Sequence, residues 1–142
     1  MSGIVHHSQG STLVVTLTNP DRRNAMSLAD LVELRQTVIE AGDNPALRCI
    51  VVTGAQGNFS AGADIRELQN LTSPEQARHH ATVAQAACDA LEQSPLPSIA
   101  AIEGFCVGGG VEISMSCDLR VADPDARFGQ VELGIGSIAA WG

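Results

Sequence analysis

The stretch Ser98-Ile99-Ala100-Ala101-Ile102-Glu103-Gly104-Phe105-Cys106-Val107-Gly108-Gly109-Gly110-Val111-Glu112 decides the fold. Ser98 to Ile102 reads as a buried strand, and Gly104 and Gly108 to Gly110 let the chain turn behind it. A short apolar helix is expected from Val111 to about Cys117, then a short strand, Leu119 to Ala122. The same grammar occurs upstream. Cys49 to Thr53 is a continuous apolar run, the pattern of a strand buried on both faces, and a loop rich in glycine and asparagine, Gly54 to Gly62, follows it.

Further out, Ile4 to Ser8 and Thr12 to Thr18 are β-type runs joined by the hairpin signal Gln9-Gly10-Ser11. Ser27 can cap a helix whose apolar residues Leu28, Leu31, Val32, Leu34, Val38 and Ile39 recur at helical spacing, with Gly42 as its stop. Ser73-Pro74-Glu75-Gln76 opens another helix, with Gln76 completing a capping box and the end near Ser94-Pro95. The order β-β-α-β-α-β-α-β argues for one layered α/β domain with crossovers.

The 142 residues fit a single domain, and a chain of this size hides roughly 68–70% of its unfolded surface. Aromatics are 3% of the chain, so the core rests on Ala, Val, Ile and Leu. Eight basic against sixteen acidic residues give a formal charge of −8, the wrong sign for a non-specific nucleic-acid binder. Cys49, Cys88, Cys106 and Cys117 lack C-x-x-C spacing and sit in apolar runs, as reduced core thiols do. No apolar run reaches the ~18 residues of a membrane span. Met1 to Gln9 lacks the basic head and apolar body of a leader, so a cytoplasmic protein is expected.

Gly108-Gly109-Gly110 turning into a helix leaves backbone N–H groups unpaired, which favours negative charge beyond the strand. A phosphate loop would carry G-x-x-x-x-G-K-[ST], yet Val111 and Glu112 follow Gly110, and a carboxylate repels phosphate. An oxyanion formed during a reaction is better served, since Glu112 can reach the reacting centre. Glu132 stands twenty residues later, and two carboxylates at one site can divide acid and base roles. Phe59-Ser60-Ala61-Gly62-Ala63-Asp64 is a second small-residue loop after a buried strand, and two such loops could each present one N–H to a single oxygen. Taken singly, either carboxylate also fits ordinary surface charge, and either loop an ordinary turn.

Four segments in register resemble the crotonase, or enoyl-CoA hydratase/isomerase, family. They are Asn19-Pro20 with Asn24-Ala25-Met26-Ser27; Phe59-Ser60-Ala61-Gly62-Ala63-Asp64-Ile65; Ile102-Glu103-Gly104 with Gly108-Gly109-Gly110-Val111-Glu112; and Phe128-Gly129-Gln130-Val131-Glu132. The resemblance runs from about Val5 to Gly136 and implies an α/β spiral of β-β-α units binding acyl-CoA thioesters, with residues 1–142 forming one spiral core. It assigns the backbone N–H groups of Ala63 and Gly109 to an oxyanion hole. Glu112 and Glu132 take the catalytic positions, with Glu132 the proton donor. Ala25, Ala61, Asp64, Ile65 and Phe105 fall at substrate- and CoA-binding positions, with Arg22 or Arg23 near the CoA phosphates. Because CoA is anionic, these arginines and Arg66 must supply a local positive field.

The implied reaction adds water across the 2,3 double bond of an enoyl-CoA. Coenzyme A is part of the substrate, and neither a separate cofactor nor a metal is expected. An isomerase of the same family and a non-catalytic acyl-CoA-binding or association module are the alternatives. The chain departs from the family pattern at Val131, where Pro is usual, and at Ala139 and Ala140, where a Pro-Gly turn is usual. Relatives of this kind continue for nearly as long again, so the resemblance covers the N-terminal half and lacks the C-terminal helical part. Homo-oligomerisation, as a trimer or dimer of trimers, is the family expectation.

Other patterns carry less. Gly134-x-Gly136-x-x-Ala139 fits a dinucleotide fingerprint but has neither the following helix nor the later acid. His6-His7 and His79-His80 are adjacent pairs whose members point to different faces, so they read as exposed or partly packed. Ser114 and Ser116 lack a G-x-S-x-G elbow.

Overall fold

The computed structural model describes residues 3–142; Met1 and Ser2, the start of the segment read as lacking a leader, lie outside them. Strands β1 (Ile4–Gln9) and β2 (Thr12–Leu17) form the expected hairpin, antiparallel with Gln9 opposite Thr12. Helix α1 (Leu28–Asp43) and strand β3 (Cys49–Gly54) follow, then a short helix α2 (Ile65–Gln69) and the long α3 (Pro74–Glu92). Strands β4 (Ser98–Ile102) and β5 (Phe105–Val107), helix α4 (Gly109–Met115), and strands β6 (Leu119–Ala122) and β7 (Arg127–Gly129) complete the order, with 3₁₀ turns at Pro20–Arg22 and Glu132–Ile135.

The main sheet runs β1-β2-β3-β4-β6, parallel from β2 onward. A second, two-stranded parallel sheet pairs β5 with β7. The chain thus leaves the main sheet after β4 at Gly104, a turn that begins the next level of a spiral. Sequence reading missed β5 and β7 because each is three residues long, too short for periodicity to register.

Alternation sets the core. Leu13, Val15 and Leu17 of β2 and Ile50 and Val52 of β3 are buried, meeting Leu31, Leu34 and Val38 of α1 and Ala84, Ala87 and Leu91 of α3. Truncating one of these leucines to Ala would cost about 2–5 kcal/mol. The expectation that Cys49–Thr53 is buried on both faces is corrected: Cys49, Val51 and Thr53 are half-buried, because the face away from α1 and α3 is only partly covered.

Three boundaries also move. Helix α1 runs through Gly42 and ends at Asp43, before Asn44-Pro45, since the residue preceding proline is driven out of helical geometry. At α3, Ser73 caps the Gln76 N–H (3.2 Å), but Gln76 Oε1 accepts from Thr72 N (2.7 Å), leaving the capping box half made. Helix α4 starts at Gly109 rather than Val111. A Cβ on Gly109 would lie 2.3 Å from the Trp141 ring, and one on Gly110 would lie 2.6 Å from the Ser60 carbonyl oxygen. These glycines are helical, and what they supply is close approach.

Strand β6 is exposed at all four positions, with Leu119 58% and Val121 64% accessible. Polar contacts fix this edge. Arg120 donates to the carbonyls of Ser114, Met115 and Cys117 (3.1, 3.3 and 2.7 Å), closing the C-terminal end of α4, while Asp118 accepts from Ser98 N (2.7 Å).

Candidate active site

The first small-residue turn is locked by Asn24, which is buried in a left-handed conformation (φ 57°). Its amide donates to the carbonyls of Ala55 (2.9 Å) and Asn58 (2.7 Å), and its oxygen accepts from Asn19 N (3.0 Å). Ser60 Oγ donates to the Asn24 carbonyl (2.8 Å) and accepts from Gly62 N (3.0 Å). Alternating bonds from Ala61 N to Arg23 O, Met26 N to Gly62 O, and Asp64 N to Met26 O then bind the turn to residues 23–26. Asp64 caps α2 by accepting from Arg66 N (3.0 Å).

The second turn rests on the first. Gly62 (φ 85°) packs so closely that a Cβ there would fall 2.6 Å from Gly109 N. Gly108 N donates to Gly129 O (2.9 Å) and Val107 N to Ser60 O (3.0 Å). Among the described residues, neither Ala63 N nor Gly109 N has a protein acceptor. The two loops singled out in the sequence meet with one unengaged backbone donor on each.

Both glutamates face the same space. Glu112 is 5% exposed, and its Oε1 accepts from Trp141 N (2.6 Å) and Gly142 N (3.2 Å). Burial pushes its pKa above the ordinary carboxylate value; the Trp141 and Gly142 amides oppose that rise and the neighbouring Glu132 charge adds to it. Glu132 opens the second 3₁₀ turn; a Cβ on Gly108 would lie 3.3 Å from its Oε1. With its amide nitrogen turned toward the carboxylate, Gln130 donates to both Glu132 oxygens (3.2 and 3.0 Å).

Glu112 and Glu132 line a cavity of about 640 Å³ together with Ala61, Ala63, Gly108 and Gly109. Leu68 and Leu71, at and beyond the end of α2, Ala77, His80 and Ala81 from α3, and Trp141 line it as well. Ile65 lines it too, whereas Arg22, Arg23, Ala25, Asp64 and Phe105 stand outside its walls. Arg22 makes an ion pair with Asp64, and Arg66 Nε lies 3.8 Å from the same carboxylate, so these two arginines offset an acid. Arg23 sits over the Phe105 ring at 4.5 Å, with Arg127 at 5.9 Å. Ala25 is buried.

Sequence reasoning missed Trp141, Gln130, Arg127 and His80. The histidine reading needs correction, since His6, His7 and His79 are exposed but His80 is buried against the cavity. Adjacent helical residues point apart, so one member of the pair faces inward and only the α3 phase tells which. Among the described residues no cluster of His, Cys, Asp and Glu could hold a metal, and no helix is long and apolar enough to cross a membrane.

Comparison with known proteins decides the family. The enoyl-CoA hydratase/isomerase family model matches residues 7–142. The chain belongs to the enoyl-CoA hydratase/isomerase family. It is 36% identical over 140 residues to a crotonyl-CoA hydratase of Syntrophomonas wolfei, covering 98% of this chain and 54% of that protein. It is 35% identical over 143 residues to a short-chain-enoyl-CoA hydratase of Clostridium acetobutylicum, covering 100% of this chain and 54% of that protein. The crystal structure of an enoyl-CoA hydratase from Bacillus anthracis superposes with a TM-score of 0.92 at 32% identity, over 99% of this chain and 55% of that one. The crotonase-like α/β spiral expected from the sequence is therefore the fold, and the chain spans about half the length of these family members.

Proposed function

We propose that this chain carries the oxyanion-binding and acid–base elements of an enoyl-CoA hydratase, adding water across the 2,3 double bond of an acyl-CoA thioester. The observation that carries the reading is that Glu112 and Glu132 line one cavity beside the unengaged N–H groups of Ala63 and Gly109. As water adds to the β-carbon, electron density moves from the double bond onto the thioester oxygen, and the two amides stabilise it there. Losing one such donor costs ~10²–10³ in rate, and a positioned acid or base contributes ~10²–10⁴.

Burial makes Glu112 a stronger base than an exposed glutamate, which suits it to take the proton from water. Glu132 delivers a proton to the α-carbon, so the double bond gains one hydrogen and one hydroxyl. Ala61 and Ile65 flank the acyl group, and Ala25, Asp64 and Phe105 support the CoA side. Arg23 meets the phosphates, and Arg22 contributes through Asp64. Coenzyme A arrives as part of the substrate. The four free cysteines support a reducing, cytoplasmic setting. Exposed Met115, Leu119, Val121 and Phe128 support self-association, the trimer or dimer of trimers expected above, which sedimentation at graded concentration would read.

The test is to mix the chain with crotonyl-CoA and follow loss of the conjugated absorbance, with Glu132→Gln as control. Turnover lost in the variant supports hydration. Saturable binding without turnover supports a non-catalytic acyl-CoA-binding module instead.

A further inference from the structure

Gln85 is an exposed residue of α3, and its Nε2 donates to the Ala140 carbonyl (2.9 Å), 55 residues along the chain. Residues 139–142 belong to no helix or strand. Among the described residues, they are hydrogen-bonded to the rest of the chain through Gln85 and through Glu112. These two attachments share one peptide group. The Ala140 carbonyl that accepts from Gln85 and the Trp141 N–H that donates to Glu112 Oε1 (2.6 Å) are the two ends of a single planar unit. The bond is trans, so its C=O and N–H point in opposite directions, and fixing one end aims the other. A hydrogen bond to the carbonyl also polarises the amide, which makes its N–H a stronger donor. Gly142 N adds a second bond to the same carboxylate oxygen (3.2 Å). Glu112 has no ion pair among the described residues, so these amides are what favours its charge against burial. The ionisable groups around it are Glu132 from the 3₁₀ turn and, from α3, Cys88 and His80. The Cys88 thiol is pushed up to about 11 and burial lowers the His80 pKa, so Glu132 is the charged one at pH 7.

We infer that Gln85 is a positioning residue for the hydration step: its hold on the Ala140 carbonyl aims the Trp141 amide at Glu112 Oε1 and so orients the carboxylate that takes the proton from water. The inference rests on the hydratase reading above and adds the outlying group that aims its base. Without Gln85 the peptide group is free to rotate, the amide leaves Oε1, and the carboxylate loses a charge-assisted bond. Glu112 then keeps its proton to higher pH and is available as a base over a narrower range.

The experiment measures the pH dependence of kcat for crotonyl-CoA with the unaltered protein, Gln85→Leu and Gln85→Lys. Leucine and lysine both suit an exposed helical position, and of the two only lysine restores a donor. Salt at about 0.5 M screens the charge that lysine adds. The acid limb of the Gln85→Leu profile should move up by about half a pH unit or more, a roughly threefold or larger loss of kcat on that limb. The limb of Gln85→Lys should return toward that of the unaltered protein. A limb that stays in place in Gln85→Leu, or moves equally in both variants, would overturn the inference. Carbon-13 NMR titration of the Glu112 carboxyl, assigned with Glu112→Gln, reads the same shift without substrate and so separates this inference from the hydratase reading. A midpoint that rises in Gln85→Leu and returns in Gln85→Lys, with no turnover of crotonyl-CoA, keeps the role of Gln85 and removes hydration. A midpoint that does not move removes Gln85, whether or not crotonyl-CoA is hydrated.

Discussion

Gly109 and Trp141 occupy one volume: a Cβ added to the glycine would sit 2.3 Å from the indole. Trp141 is 5% exposed, so the ring has little room to retreat. Gly109→Ala should destabilise the fold by about 1–3 kcal/mol through overpacking, and Trp141→Ala by about 3–5 kcal/mol through the cavity left behind. The double variant should lose less than the sum, because each change relieves the other. Urea unfolding followed by circular dichroism measures this; strict additivity would mean the ring does not press on the turn.

Glu112 gives a pH signature. Its carboxyl titrates near 4.5 in the unfolded chain and higher in the folded one, burial being the main cause. As pH rises through that interval the unfolded state releases its proton first, so the native state binds more protons and stability falls. Glu112→Gln keeps an oxygen for the Trp141 amide and lacks the ionisation. The melting temperature of the unaltered protein should therefore fall relative to the variant as pH is raised from below 4.5 through the folded-state value. A difference that stays constant with pH would contradict the raised pKa.

Asn24 should be the most sensitive polar position. Asn24→Ala strands the carbonyls of Ala55 and Asn58 and the Asn19 N–H, and it places a Cβ without hydrogen-bonding capacity at φ 57°. A loss of about 3 kcal/mol or more is expected. Asn24→Gly, which relieves the backbone alone, should lose less, and chemical denaturation would rank the two.

Arg23 and Arg127 both sit over the Phe105 ring, and neither has an ion pair among the described residues; Arg23 is the nearer to the ring. Replacing it with glutamine should raise KM for crotonyl-CoA by about tenfold. The KM for a crotonyl thioester of N-acetylcysteamine, which has no phosphates, should stay unchanged. Equal effects on both substrates would remove Arg23 from phosphate binding.

Thiol chemistry offers a check on the interior. Burial drives Cys88 and Cys106 to about 11 and Cys117 to about 12, while Cys49 is half-buried beside Thr12 Oγ1 (3.3 Å). At neutral pH an alkylating reagent should label Cys49 first, with the other three reacting only as the chain opens. Mass spectrometry of timed digests reads the order.

Legibility in the sequence followed the range of each interaction. Helix α1 repeats its apolar residues at helical spacing, so Leu31, Leu34 and Val38 announce a face before any contact is known, while α3 opens on a capping signature and β2, β3 and β4 read as short β-type or apolar runs. Singly, the two turns and the two glutamates fit ordinary turns and surface charge; they were legible only through the four segments in register that resemble the enoyl-CoA hydratase/isomerase family. Strands β5 and β7 were not, being too short to show alternation. Nor were Trp141 and His80. What makes them matter is a partner far along the chain: Gly109 and Glu112 for the first, and the α2 side of the cavity for the second.

The clasp of Arg120 on the last carbonyls of α4 has a mechanical consequence. An aliphatic margin that gains little from water exclusion keeps its station through directional bonds to one guanidinium, and such bonds weaken quickly with displacement. Warming should therefore loosen this rim before the shared interior gives way. The disturbance would travel along a rod seven residues long to Gly109, so the oxyanion grip proposed for that residue would depend on a contact at the rod's far end.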